Sequence, residues 1–144
     1  MYNTTDMTVE QMFQAIETHH RGKASVPSLG LPHLRYLLNK LGSDTFTHAL
    51  VKGCFDHGYE IKVVKNEVTI FSSDRKHKAF YANFSRQKRV LEIHFNGRDP
   101  RFPLVKPLFE NEEIERGYWS FNLRSPEEVL SFFEAVRRIE KQAV

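Results

Sequence analysis

The chain has 144 residues, of which 40% are hydrophobic and 27% are charged. This size and composition are typical of one globular domain and exclude a largely disordered chain, which would have fewer hydrophobic residues and a higher net charge. The net charge is only +3, but residues 61–101 contain ten Lys or Arg and four Asp or Glu. The positive charge is therefore concentrated in the middle of the chain.

The sequence has none of the signals of a secreted or membrane-bound protein. No apolar run approaches the roughly 20 residues that span a bilayer. The start of the chain, MYNTTDMTVE, has neither the basic nor the apolar region of a signal peptide. A single cysteine, Cys54, cannot form an internal disulfide, which agrees with a reducing compartment. We therefore expect a cytoplasmic protein without a membrane partner.

Three helices are predicted in the first part of the chain. Thr8 and Gln11 have the spacing of an N-terminal capping box, which begins the first helix. Pro32 suits the first turn of the second helix, Gly42 its end, and Gly58 the end of the third helix. The apolar stripes of the three helices are Val9, Met12, Phe13 and Ile16, then Leu34, Leu37, Leu38 and Leu41, then Phe46, Ala49, Leu50 and Cys54.

After Gly58 the period of the apolar residues changes from about 3.6 to 2, which indicates strands. Five strands are predicted, the first four as an antiparallel meander with tight turns between them. The fifth follows an acidic segment, 96–117, which contains three prolines and is predicted as a loop with one helical turn. The residues on the core face of this sheet are Tyr59, Ile61, Val63, Val68, Ile70, Phe80, Ala82, Phe84, Leu91, Ile93, Phe95, Trp119, Phe121 and Leu123.

A closing helix begins at Ser125 and Pro126, which have the residue types of an N-cap and a first helical position. It is expected to bury Val129, Leu130, Phe133, Val136 and Ile139. The sequence thus predicts a single α+β domain over residues 1–144. Its helical part is 1–58, and the sheet with its closing amphipathic helix is 59–144.

The second face of the predicted sheet carries aromatic, histidine and amide side chains, including Phe71, Tyr81, His94 and Tyr118. One interpretation is a binding surface, because aromatic rings exposed on a sheet can stack on nucleic-acid bases. The other interpretation is that helices cover this face, so that the rings are ordinary packing residues.

Two turns of the meander are rich in basic residues. Arg75, Lys76 and Lys78 belong to one turn, and Arg86, Lys88 and Arg89 belong to the other. Cations at these positions can neutralise phosphates, although basic turns also protect sheet edges from aggregation. Together with the second face, they predict a nucleic-acid-binding site.

Catalytic patterns are weak. Residues Glu60 and Lys62 have the Glu-x-Lys form found in metal-dependent nucleases, in which the acid holds a cation and the lysine orients water. Such a site needs a second carboxylate, and the candidates Glu67 and Glu92 do not have the usual order along the chain. Glu92 and His94 lie on one side of a strand, as an acid–base couple or as a surface ion pair.

Metal and cofactor motifs are not found in the sequence. Cys54 and His57 are too few ligands for a structural zinc site. The chain has no Gly-rich nucleotide-binding loop and no serine nucleophile elbow. We therefore expect no cofactor and no bound metal, and the sequence leans against an enzyme.

Four segments, at 78–81 (KAFY), 90–93 (VLEI), 117–121 (GYWSF) and 125–128 (SPEE), carry a resemblance to known families. Over about 59–143 the layout resembles that of the YjbR-type domains, proposed to bind DNA, and of small bacterial domains described as predicted transport proteins. The resemblance implies a meander closed by a strand and a helix, and it favours a nucleic-acid partner. It identifies no functional residue.

The leading hypothesis is a non-catalytic binding module of a cytoplasmic bacterial or phage system. It would bind DNA or RNA through the basic turns and the second sheet face. The first alternative is a domain for interaction with another protein, or a homodimer that forms through the second face or an edge strand. The second alternative is a metal-dependent nuclease that uses Glu60 and Lys62.

Overall fold

The computed structural model describes residues 6–19, 28–38, 44–72 and 77–142. Its helices are α1 (Val9–His19), α2 (Leu31–Leu38), α3 (Thr45–His57), the short α4 (Phe102–Val105) with a following 3-10 turn (Lys106–Leu108), and α5 (Pro126–Gln142). Its strands are β1 (Glu60–Val64), β2 (Glu67–Phe71), β3 (Phe80–Ser85), β4 (Val90–Asn96), β5 (Asn111–Glu115) and β6 (Tyr118–Leu123). The α+β class and the three helices before the sheet are as predicted.

Local sequence signals account for the helix ends. In the capping box at α1, the Gln11 backbone N–H donates to Thr8 Oγ1 (3.1 Å) and the Thr8 N–H donates to Gln11 Oε1 (2.8 Å). Gly58 ends α3 with a φ of 75°, a left-handed conformation that costs least for glycine. At α5, the Glu128 N–H donates to Ser125 Oγ (3.1 Å). The predicted stop at Gly42 lies outside the described residues.

The sheet has six antiparallel strands in the order β1-β2-β3-β4-β6-β5. The prediction of five strands is wrong in count, because residues 111–115 form a strand where a loop was expected. This strand pairs with β6 alone at the edge of the sheet, and its residues are mostly exposed. An exposed edge strand needs no alternation of apolar and polar residues, so its sequence carries no strand signal.

The core lies between one sheet face and the helices. Its strand residues are those predicted, except that Trp119 is only partly buried. Helices α1, α2, α3 and α5 supply most of the rest, and α4 adds Phe102 and Val105. Helix α3 approaches α5 closely at Gly53, where an added Cβ would lie 2.4 Å from Phe133 Cδ2. At the β1 edge, the Leu29 N–H donates to the Val63 carbonyl (2.7 Å), so the segment before α2 covers this edge.

The second sheet face, which we call the open face, has the buried residues Glu60, Ser120 and Asn122 beside the partly exposed Phe71, Tyr81 and His94. The core cluster contains residues of the helices and of the core face of the sheet. Within the described residues, it contains no strand residue of the second face. The interpretation that helices cover the second face is therefore wrong for the described part of the chain. Among the helices of that part, none has the length and apolar character needed to cross a membrane.

Candidate nucleic-acid interface

Four ring-bearing residues lie on four neighbouring strands of the open face, in register or within two positions of it. Tyr81 on β3 pairs directly with His94 on β4, and His94 pairs with Ser120 on β6. Phe71 lies two positions from the β2 partner of Tyr81, and Tyr118 lies two positions from Ser120. Such diagonal neighbours are within reach of aromatic side chains. We call Phe71, Tyr81, His94 and Tyr118 the aromatic stripe.

The rings of the aromatic stripe are accessible to different degrees. Tyr118 is 40% exposed, whereas Phe71, Tyr81 and His94 are half-buried by their neighbours on the same face. Burial raises the pKa of the Tyr81 phenol, and the charge of Glu67 and the nearby Tyr118 raise it further. Tyr81 is therefore neutral at physiological pH and can donate a hydrogen bond as well as stack.

A polar ladder lies beside the aromatic stripe. Asn83 Nδ2 donates to Glu92 Oε1 (3.2 Å), and His94 Nε2 lies 3.2 Å from the same oxygen. The sequence placed Glu92 and His94 on one side of a strand, and the structure brings them into contact as a pair on the sheet surface. Contact with Glu92 fixes the orientation of the His94 ring within the stripe.

The ladder continues across β6 to the edge strand β5. Ser120 Oγ donates to Asn122 Oδ1 (2.8 Å), and Asn122 Nδ2 donates to Glu112 Oε2 (2.8 Å). Glu112 also forms an ion pair with Lys88. Hydrogen bonds from Lys88 and then Asn122 lower the pKa of Glu112, and the bond to Glu112 raises the pKa of Lys88. Both groups are therefore charged at neutral pH, and Lys88 is already engaged.

The basic turns do not form one patch. Arg86, Lys88 and Arg89 lie in the turn after β3, whereas Lys78 lies in the connection before β3. The six residues of β3 separate these two ends of the sheet by about 20 Å, since a strand rises roughly 3.3 Å per residue. The expectation of a single basic region is therefore corrected. Arg75 and Lys76 lie outside the described residues.

The aromatic stripe lies at the Lys78 end of the sheet. Phe71 ends β2, Tyr118 begins β6, and both Tyr81 and His94 lie within two residues of the same end of their strands. Arg86, Lys88 and Arg89 are at the opposite end. Among the described basic residues that were predicted for the site, only Lys78 therefore lies near the stripe.

Two arginines that the sequence did not single out lie at the end of the sheet that carries the stripe. Arg98 follows β4 and Arg116 precedes β6, and their turns are joined by a hydrogen bond from the Gly97 N–H to the Gly117 carbonyl (2.8 Å). Both arginines are exposed. We call Lys78, Arg98 and Arg116 the basic rim. The signal that could have identified it is topological, because successive turns of a meander alternate between the two ends of a sheet.

The carboxylates that a Glu-x-Lys nuclease needs do not assemble around Glu60. Glu60 pairs with Phe71, whereas Glu67 pairs with Val64 at the other end of β1, and Glu92 is three strands away on β4. Within the described ranges, no group of three His, Cys, Asp or Glu residues could hold a metal ion. The buried Cys54 has a thiol whose pKa is raised by burial, which keeps it protonated.

A second charged cluster is entirely internal. Arg101 is 1% exposed and donates to Asp99 Oδ2 (2.7 Å) and to Glu140 Oε2 (2.6 Å). Its guanidinium lies over the rings of Phe80 and Phe95, 5.4 and 5.1 Å from their centroids. Burial opposes its charge, but hydrogen bonds to the two carboxylates raise the pKa of Arg101 above its ordinary value. We interpret this cluster as structural, because its groups satisfy one another.

The fold and the open face define a class of protein: a two-layer α+β domain with helices on one side of an antiparallel sheet and a polar-aromatic surface on the other. Comparisons with protein-family models, with curated proteins and with solved structures each find no match. The resemblance to YjbR-type domains therefore stays a prediction, and the function is inferred from the chemistry of the open face.

Proposed function

We propose that the protein is a non-catalytic module that binds single-stranded nucleic acid on the open face of its sheet. One observation carries the proposal: the aromatic stripe lies along the end of the sheet that also carries the basic rim. Bases stack on aromatic side chains whatever their sequence, and cations beside the rings neutralise the backbone phosphates.

The dimensions of the aromatic stripe suit a short strand of nucleotides. It crosses four neighbouring strands, β2, β3, β4 and β6, which span about 14 Å at roughly 4.8 Å between strands. Sheets that bind RNA in this way stack two or three bases on their exposed rings. The stripe therefore supports contact with about two or three unpaired bases.

The chemistry around the stripe favours single strands over duplexes. The polar ladder next to it offers the exposed Asn83 amide, beside the Glu92 carboxylate, which can hydrogen-bond to the edges of splayed bases. A duplex hides its base faces and presents mainly phosphates.

Fluorescence anisotropy with labelled ten-nucleotide dT and rU oligomers tests the proposal. We expect binding at low salt that weakens as salt rises, with a slope of log K against log salt of about −2, since three rim cations each contribute roughly −0.7 on single strands. A ten-base-pair duplex should bind more weakly, although it carries more phosphate charge per unit length than a single strand. No binding at 20–50 mM salt, a range in which such contacts are roughly strongest, would contradict the proposal.

Two variants separate stacking from charge, with a control at the other end of the sheet. Tyr118→Ala should weaken binding roughly fivefold to 150-fold, the loss of about 1–3 kcal/mol of stacking. The double variant Arg98→Ala/Arg116→Ala should reduce the salt slope by about 1.4. Arg86→Ala/Arg89→Ala removes the same charge far from the stripe and should leave the slope nearly unchanged. Equal losses in both double variants would indicate that net charge alone drives binding.

A further inference from the structure

The carboxylate of Glu92 lies against the aromatic stripe and has one oxygen without a partner. Glu92 Oε1 accepts a hydrogen bond from Asn83 Nδ2 (3.2 Å) and lies 3.2 Å from His94 Nε2. Within the described residues, Glu92 Oε2 takes part in no hydrogen bond or ion pair. It is not one of the buried side-chain atoms that lack a partner, so it reaches the solvent although the Glu92 side chain is only 12% exposed.

The same carboxylate fixes the orientation of the neighbouring amide. Asn83 and Glu92 are directly paired across β3 and β4, and the next pair on the same face is Tyr81 with His94. Since a carboxylate accepts hydrogen bonds and does not donate them, Asn83 Nδ2 faces Glu92 and Asn83 Oδ1 is turned away from it. Two acceptor oxygens, Glu92 Oε2 and Asn83 Oδ1, therefore border the rings of the stripe.

We propose that Glu92, with Asn83, makes the open face prefer guanine among the bases of a single strand, an inference that rests on the proposed binding of nucleic acid there. Unpaired bases are recognised by stacking and by hydrogen bonds to their Watson–Crick and Hoogsteen edges. The Watson–Crick edge of guanine carries two adjacent donors, N1–H and the 2-amino group. Two adjacent donors suit a border whose open oxygens are acceptors.

The other bases complement these oxygens less well. Adenine and cytosine have one amino group next to a ring nitrogen that accepts, and thymine and uracil have one N–H between two carbonyl groups. Each of them therefore places an acceptor beside its single donor, facing the oxygens of Glu92 and Asn83. Specificity of this kind comes from the unfavourable contact of the wrong base as well as from the favourable contact of the right one.

The probes are labelled ten-nucleotide dT strands in which the fifth nucleotide is deoxyguanosine, deoxyinosine or deoxyadenosine, measured by fluorescence anisotropy beside unchanged dT. The guanine strand should bind about fivefold to tenfold more tightly than dT, the lower part of the range for one specific base contact. Inosine lacks the 2-amino group and should lose most of that gain. Adenine, a purine with one donor on this edge, controls for stacking and should bind no more tightly than inosine.

A conservative variant tests the role of the carboxylate. Glu92→Gln keeps an acceptor for Asn83 and His94 and replaces the second oxygen by an amide group that donates. In this variant the guanine strand should lose its advantage, whereas binding of dT should persist. The matched control is Glu134→Gln, which removes the same charge from an exposed position on α5 and should keep the preference for guanine.

The results separate this inference from the proposed function. Binding of dT without a preference for guanine would overturn the role of Glu92 and leave the proposed function standing. Equal affinity for the guanine and adenine strands, or the same preference in the wild type and in Glu92→Gln, would assign the preference to stacking and also overturn that role. The comparison of bases uses the wild type and does not depend on folding of the variant. No binding of any strand at low salt would overturn both proposals.

Discussion

Replacement of Arg101 by Met should lower the free energy of unfolding by about 3–5 kcal/mol, the usual cost of removing one partner from a buried ion pair. The variant keeps most of the apolar volume over Phe80 and Phe95 but leaves Asp99 with uncompensated charge in the core. Glu140 loses its 2.6 Å ion pair and keeps only Arg137, at 3.5 Å. Urea unfolding followed by circular dichroism measures the loss.

Two further variants check the cause of that loss. Arg124→Met removes an exposed ion pair with Glu110 and should cost less than about 1 kcal/mol. The double variant Arg101→Met/Glu140→Leu removes both charges of one buried pair and should be less destabilised than the sum of its single variants by about 1–3 kcal/mol. A loss from Arg101→Met as small as that from Arg124→Met would show that the internal cluster does not hold the fold together.

Substitution of Phe132 by Ala should also cost about 3–5 kcal/mol, because it opens a cavity at the centre of the core. Phe132 is 0% exposed. Its ring lies within 6.1 Å, centroid to centroid, of the rings of Phe80, Phe95, Phe109, Phe121 and Phe133.

The matched control for Phe132→Ala is Leu130→Ala, on the same helix but only partly buried. It should cost clearly less, since the cost of truncation follows the contacts and the cavity left behind. Equal losses in the two variants, measured by urea unfolding, would mean that the aromatic cluster collapses around the missing ring or does not form.

Much of the fold could be predicted because its signals are local. The capping box at Thr8 and Gln11, the glycine stop at Gly58 and the start of α5 at Ser125 each satisfy backbone groups within a few residues. The alternation of apolar residues also assigned the strand residues to the correct faces, because a side-chain period of two leaves no other choice once the core face is known.

Features that depend on the assembled molecule were missed. Strand β5 exists because β6 provides a partner, not because its own residues favour a strand. The partners of Arg101 are two residues and 39 residues away along the chain, so no regular spacing in the sequence predicts the cluster. Phe132 was omitted from the predicted core of α5 although its neighbour Phe133 was included, because the stripe buried in the core is wider than a single helical row.

The candidate site stays a prediction, and the structure arranges its predicted residues differently from the expectation. The aromatic stripe lies on the open face as the alternation indicated, but the turn with Arg86 and Arg89 is at the far end of the sheet. Arg98 and Arg116 occupy the near end instead. The direction of each strand determines which turn lies at the same end of the sheet as each ring. Strand directions follow from the sheet topology and not from the composition of the sequence.

The most direct test of binding at the aromatic stripe is an NMR titration of the isotope-labelled protein with single-stranded dT or rU oligomers at low salt. The proposed function predicts shifts at Tyr81, His94, Tyr118, Arg98 and Arg116, with the exposed surface of α5 unchanged. Shifts confined to the helices or to the turn at 86–89, or no shifts at all, would contradict it.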